Sequence, residues 1–294
     1  MPINQEALKK IRINKYLKLF LKIAITVLAL YFVFNKISIG QITQLISKSY
    51  WPYILVGLLF FILSKLIAAF RLNYFFRSTG LRIAEKRNLR LYLLGMFYNL
   101  FLPGGIGGDG YKIYLLNKQE GVKVGKLFWA ILLDRVIGIL ALFCLLVAFS
   151  YFIPYPVVYK YFTWLLAPLA VVVFYFVVRR FFNDFRPIVF RTLFFSFFVQ
   201  GFQLVTAIFI LLSLGIEQQF TQYLFVFMVS SIVAALPFTV GGLGARELTF
   251  LYGAELMNLN MDASVTLSLL FYLITAAVSL SGIYYSFDRR GLGD

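Results

Sequence analysis

Three pairs of ionisable residues stand in stretches that are otherwise almost wholly apolar: Asp109 with Lys112, Asp134 with Arg135, and Arg246 with Glu247. On insertion scales such a group costs on the order of 2.5–3.5 kcal/mol at the middle of a bilayer, so each needs a partner or a purpose. Carboxylates near cations can neutralise them, carry a proton, or help shape a site for an ionic ligand. Arginine offers phosphate a planar, two-pronged donor. Adjacent residues on a helix do not face one another, so Asp134 and Arg135 require separate partners. The simplest assignment pairs Arg135 with Asp109 and Asp134 with Arg246. Lys65, six residues before Arg71, is read as a side chain that snorkels to the interface.

Composition removes other chemistries. The 294 residues include no histidine and one cysteine, Cys144, inside an apolar run. Histidine acid–base catalysis, zinc sites of Cys and His, and an intrachain disulfide are thereby excluded. No metal and no cofactor is expected. Cys144 reads as a small buried hydrophobe.

Two glycine-rich stretches frame the charges. Residues 101–112 read FLPGGIGGDGYK and residues 235–247 read ALPFTVGGLGARE. Without a gap, Leu102-Pro103, Gly107-Gly108, Gly110 and Lys112 fall on Leu236-Pro237, Gly241-Gly242, Gly244 and Arg246, always 134 positions apart. Proline ends an incoming helix, because it lacks a donor and constrains the residue before it. Glycine permits a tight reversal and close backbone approach. Irregular backbone at membrane depth survives only where protein or a watery cavity satisfies it. Pro103, Gly107, Gly108 and Gly110, with Pro237, Gly241, Gly242 and Gly244, are therefore read as two re-entrant turns that face one another around a polar pocket. Close helix packing by small residues is the plainer account of the same glycines. The literal Gly105-x-Gly107-x-x-Gly110 match to a dinucleotide fingerprint is accidental, since Pro103 stands before it and the setting is a membrane.

The elements that carry these residues follow from hydropathy. The chain is 61% hydrophobic and 14% charged, with a mean hydropathy of +0.85. About 20 apolar residues span the hydrocarbon layer. Crossings are expected at about 17–35, 51–71, 127–149, 162–178, 190–214 and 263–287, while 91–103 and 223–240 run into the glycine turns. The fold class is an all-α polytopic membrane protein, with six crossings and two re-entrant segments in one membrane domain. The basic start, Lys9 to Lys18, precedes an apolar run without a small-x-small cleavage site, which reads as an uncleaved first helix.

Lys and Arg mark the cytoplasmic side. With both termini in the cytoplasm and 91–111 returning to the side it came from, 22 of the 28 basic residues face inward. Lys36, Lys48 and Lys160 alone fall outside, and Lys65, Arg135 and Arg246 lie within membrane segments. A full crossing at 91–111 would put Lys112, Lys118, Lys123 and Lys126 outside, against the rule. Topology and anionic inner-leaflet lipid thus account for the net charge of +16. No nucleic-acid partner is expected. The chain divides into halves, 1–150 and 151–294, each with three crossings. An odd number inverts the second half, the plan of many transporters with sites at the midplane.

LPGGIGGDGYK, the Asp134-Arg135 helix and LPFTVGGLGARE together resemble the lysylphosphatidylglycerol synthase transmembrane region. That flippase-like family includes the membrane half of the bacterial multiple peptide resistance factor, and the resemblance covers nearly the whole chain. It implies movement of a lipid between leaflets, with Asp109, Arg135, Arg246 and Glu247 carried over by match to the motif. Larger relatives add an aminoacyl transferase or glycosyltransferase domain, which this chain lacks, so lipid synthesis is not carried over. The expectation is a cytoplasmic-membrane translocase for an anionic phospholipid or polyprenyl-phosphate lipid, driven downhill or by an ion gradient. An enzyme, or an enzyme's partner, in lipid or lipid-linked glycan modification is the alternative. A homo-oligomer or a lipid-modifying partner enzyme are the protein partners left open.

Overall fold

A computed structural model describes residues 39–101, 107–153, 157–236 and 244–287, together with Ala24, Val27 and Tyr31. The described chain is helical and contains no strand. Its order is α1 (Ile39–Lys48), α2 (Trp51–Ser78), α3 (Glu85–Phe101), α4 (Gly107–Glu120), α5 (Val124–Ser150), α6 (Val157–Phe181), a 3-10 turn (Asn183–Ile188), α7 (Val189–Ser213), α8 (Phe220–Ala235), α9 (Ala245–Leu256), α10 (Met261–Leu280) and α11 (Ile283–Phe287). Among the described residues, five helical segments are long and apolar enough to cross a membrane: Trp51–Ser78, Val124–Ser150, Thr163–Phe181, Asn183–Ser213 and Met261–Ser286. They fall on five of the six expected crossings, and the protein is a multi-pass, all-α membrane protein. The expected crossing at 17–35 lies, but for three residues, outside the described residues, as do Pro103, Pro237, Gly241 and Gly242.

Local signals set the helix ends. Pro52 opens α2 in its first turn, where a missing N–H costs nothing. Gly80, at φ +91°, closes it: Gly80 N donates to Arg77 O (3.0 Å) and Leu81 N to Phe76 O (3.2 Å). This left-handed stop is a glycine-dependent helix cap. Asn260 caps α10 by accepting Ala263 N at 2.8 Å.

Both glycine stretches lie between helices that fold back on each other. On α3 and α4, Asn99 meets Gly108, the Tyr98 ring lies tilted against that of Tyr111 with centroids 4.6 Å apart, and Arg87 pairs with Glu120. Contacts that climb one helix while descending the other define an antiparallel hairpin, so Glu120 returns to the end where Arg87 began. On α8 and α9, Ser231 meets Arg246 and Val226 lies against Gly253, again antiparallel.

Helices α2 and α7 form the central seam, also antiparallel. Tyr50 N donates to Ser213 O (2.9 Å), Thr206 Oγ1 to Gly57 O (3.1 Å), and Arg71 Nη1 to Ser196 Oγ (2.8 Å). Two apolar cores flank this seam. One gathers Phe61, Ile210, Phe227, Phe250 and Phe271 around the α8–α9 hairpin. The other gathers Phe76, Leu91, Leu94, Leu127 and Ile137 around the α3–α4 hairpin.

Candidate functional site

The charged residues of the first half converge on a shared network. Asp109 sits in the first turn of α4, Arg135 in α5, and the Arg135 Nε lies 2.5 Å from Asp109 Oδ2. Lys112, one turn beyond Asp109, places its Nζ 2.9 Å from Oδ1 of the same carboxylate. One buried carboxylate therefore holds two cations. The close approach of α3 and α4 allows this. A Cβ on Gly108 would lie 1.9 Å from Gly95 O, and a Cβ on Gly95 would lie 2.1 Å from Lys112 Cε. Gly95 thus makes the groove for the lysine stem, whose ammonium ends 5.2 Å from the centroid of the Tyr92 ring.

Gly107, Gly108 and Gly110 occupy the start of α4 rather than the loop before it. Gly108 serves packing, the plainer of the two readings of the glycines. Its N–H still donates to Asn99 Oδ1 at 2.8 Å, so a side chain of α3 satisfies an orphan donor of the α4 N-terminus.

The partner of Asp134 is Arg71, not Arg246. Arg71 Nε donates to Asp134 Oδ1 at 2.8 Å and Nη2 to Oδ2 at 3.1 Å, a two-pronged fork with both residues buried. The remaining prong, Nη1, reaches Ser196 Oγ, which itself donates to Thr192 O at 2.7 Å. Gly138 leaves room for this guanidinium, since a Cβ there would lie 3.2 Å from Nη1. Sequence reasoning counted Arg71 among the cytoplasmic residues. Helix α2 continues to Ser78, so Arg71 lies seven residues inside it, ~10 Å at helical rise.

Arg246 and Glu247 are adjacent in α9 but engaged separately. Gly244, at φ +82°, precedes the helix, and its N–H donates to Glu247 Oε2 at 2.7 Å. Ser268 of α10 donates to Oε1 at 2.8 Å. Glu247 is thus a buried cap that ties α9 to α10. Arg246 lies over two rings, its Cζ 4.5 Å from the Phe271 centroid and 5.1 Å from that of Phe227. Its Nη2 is 3.5 Å from Ser231 Oγ.

Two cavities adjoin this network. One, of about 160 Å³, is lined by Asp109, Lys112, Asp134, Arg135, Asn99 and Tyr92 among others. The second, of about 220 Å³, is lined by Lys65, Arg71, Arg135, Gln200, Gln203 and Ser231 among others. Arg71, Tyr92 and Arg135 belong to both walls, so the two cavities are neighbours, and together they are treated as one polar chamber in two parts. Lys65, Arg71, Tyr92, Gln200, Gln203 and Ser231 were not singled out as site residues from sequence. The glutamines carry no charge to mark them, and Lys65 looked like a snorkelling residue. Its Nζ instead lies 4.5 Å from the Phe61 centroid, and the residue also lines a nearly apolar groove of about 330 Å³ with Leu58, Ile62, Leu66, Leu89, Leu93, Ala277, Val278 and Ser281. Among the described residues, no three His, Cys, Asp or Glu side chains converge as metal ligands.

Comparison with known proteins agrees with this architecture. The family model for the lysylphosphatidylglycerol synthase TM region matches residues 19–282. A UPF0104 membrane protein of Methanocaldococcus jannaschii is 25% identical over 210 residues, covering 61% of this chain and 88% of that protein. A second UPF0104 membrane protein, from Pyrococcus horikoshii, is 22% identical over 129 residues, covering 43% of this chain and 37% of the relative. The match spans both hairpins, the seam and the chamber between them, and the chain belongs to the family of the lysylphosphatidylglycerol synthase TM region.

Proposed function

We propose that this protein is a lipid translocase of the cytoplasmic membrane, with both termini in the cytoplasm. The observation that carries the reading is the junction at Lys65. There a chamber lined by Lys65, Arg71, Arg135, Gln200 and Gln203 adjoins a groove lined almost entirely by apolar side chains. A lipid has the same division. Its headgroup suits a site of fixed donors, and its acyl chain suits a groove as apolar as the surrounding bilayer. Residues Asp109, Lys112, Asp134, Arg135 and Arg246 serve the headgroup side in this reading, which takes the two hairpins as counterparts in an inverted duplication.

Reconstitution into vesicles carrying fluorescent phosphatidylglycerol, with leaflet location read by quenching from outside, tests the assignment. The protein should speed leaflet exchange well above that of empty vesicles, and Arg135→Gln should abolish the gain while the protein still elutes as a folded species. Exchange of neither fluorescent phosphatidylglycerol nor fluorescent phosphatidate above the rate of empty vesicles sinks the reading. Conversion of the lipid into a new chemical species would make the protein a lipid-modifying enzyme instead.

A further inference from the structure

The charges around the chamber do not balance. Lys65, Arg71, Lys112, Arg135 and Arg246 line or adjoin it, five cations, against the three carboxylates of Asp109, Asp134 and Glu247. Arg71 is matched by Asp134, and Asp109 is shared by Lys112 and Arg135. Glu247 is held by Gly244 N and Ser268 Oγ. Among the described residues no carboxylate forms an ion pair with Lys65 or Arg246. Residues 102–106 and 237–243 contain no ionisable residue. An excess of two positive charges remains.

Aromatic rings hold Lys65 and Arg246, the two of these cations with no carboxylate in contact among the described residues. Lys65 lies over Phe61, Phe61 meets Phe271 edge to face at 5.4 Å, and Arg246 lies over Phe271. Ring faces attract cations without neutralising them. The Arg246 Nε has no hydrogen-bond partner among the described residues, and its Nη2 contact with Ser231 is at the outer limit of such a bond. Ser231 itself belongs to the chamber wall. The side chain is half-buried, and its Nε is a buried donor to spare.

We propose that the chamber selects a lipid whose headgroup is a phosphate monoester, held between Lys65 and Arg246. The inference rests on the translocase reading and narrows its substrate. A phosphodiester brings one negative charge and leaves a cation unmatched, whereas a zwitterionic headgroup leaves both. A monoester carries about −1.5 to −2 charges near neutral pH and three strong acceptor oxygens. It matches the excess and supplies acceptors for an arginine fork and an ammonium. The apolar groove at Lys65 favours a lipid over a soluble phosphate ester.

The test is equilibrium binding to the purified full chain in detergent, by native mass spectrometry. The probes are dioleoyl phosphatidate and dioleoyl phosphatidylglycerol, identical in their chains, with inorganic phosphate as competitor. Phosphatidate should bind about tenfold more tightly than phosphatidylglycerol, the scale of one strong charge-assisted contact. Lys65→Met and Arg246→Met should each bring the two lipids to near equality, and Arg246→Lys should keep most of the preference. If Arg246→Met does not fold, Lys65→Met decides alone. Equal binding of both lipids to the unaltered protein, or a preference that survives Lys65→Met, overturns the proposal. Displacement of phosphatidate by millimolar inorganic phosphate overturns the lipid assignment in favour of a soluble phosphate ligand. In vesicles, phosphatidylglycerol moved as fast as phosphatidate contradicts this inference but not the translocase reading, while movement of neither contradicts the translocase reading alone.

Discussion

Arg71 and Asp134 meet side on, two parallel N–H···O contacts of 2.8 and 3.1 Å joining α2 to α5 with Ser196 of α7 closing the third prong. Three helices are thus tied at one buried point. Breaking such a pair from one side leaves an uncompensated charge, which costs about 3–5 kcal/mol. Arg71→Ala should therefore lower the thermal unfolding midpoint in detergent sharply. The double substitution Arg71→Met with Asp134→Leu should recover most of the loss, because a well-packed apolar pair can replace a buried ion pair. A single substitution as mild as the double one would show the fork to be dispensable.

Gly108 and Gly110 belong to the same motif yet should respond differently. A Cβ at Gly108 would run into the backbone of Gly95, and one at Gly110 meets nothing within 4 Å. Gly108→Ala should cost about 1–3 kcal/mol through overpacking. Gly110→Ala should leave stability unchanged or raise it by about 0.5–1 kcal/mol, because glycine is the poorer helix residue. Thermal unfolding of both variants separates packing from a need for glycine at the turn itself.

Glu247 was a candidate for lipid or ion handling. Its two carboxylate contacts make it a cap and a tie instead. Glu247→Ala should destabilise the fold by about 1–3 kcal/mol, the cost of leaving buried donors unpaired. Glu247→Gln keeps an acceptor and should leave lipid exchange in vesicles near the unaltered rate. A collapse of exchange in a stable Glu247→Gln protein would return the carboxylate to the transport chemistry.

Topology is open to labelling. In a Cys144→Ala background, cysteines at Lys118 and Gln219 should react with impermeant reagents from opposite faces of the membrane, Lys118 from the cytoplasm. Labelling of both from one face would contradict the inverted arrangement.

The sequence exposes the hairpins well. Proline and glycine interrupt apolar runs, and only one reading keeps Lys112 and Lys118 with the other basic residues. The Asp109–Arg135 bridge is equally legible, since both charges stand alone in apolar surroundings and must find something. Arg71 is not legible in the same way. It sits where the apolar run of 51–71 ends, and hydropathy marks the end of a run rather than the end of a helix. The LNYFF that follows it and the Gly80 stop are the signals that extend α2 to Ser78. Assigning Asp134 to Arg246 failed for a related reason. Helix α9 faces Phe227, Ser231 and Phe271, and spacing along the chain carries no record of which helix intervenes.

The seam between α2 and α7 is pinned at both ends and near one third of its length, from Tyr50 to Arg71, ~32 Å at helical rise. Each pin is a directional bond that a slip of one residue would break, and all three would have to break together. Hinge and shear are the two ways packed elements move past one another. Bonds of this kind along the seam oppose the second. In the translocase reading, the motion that exposes the chamber to one leaflet and then the other turns about this line, as a door turns on its hinges.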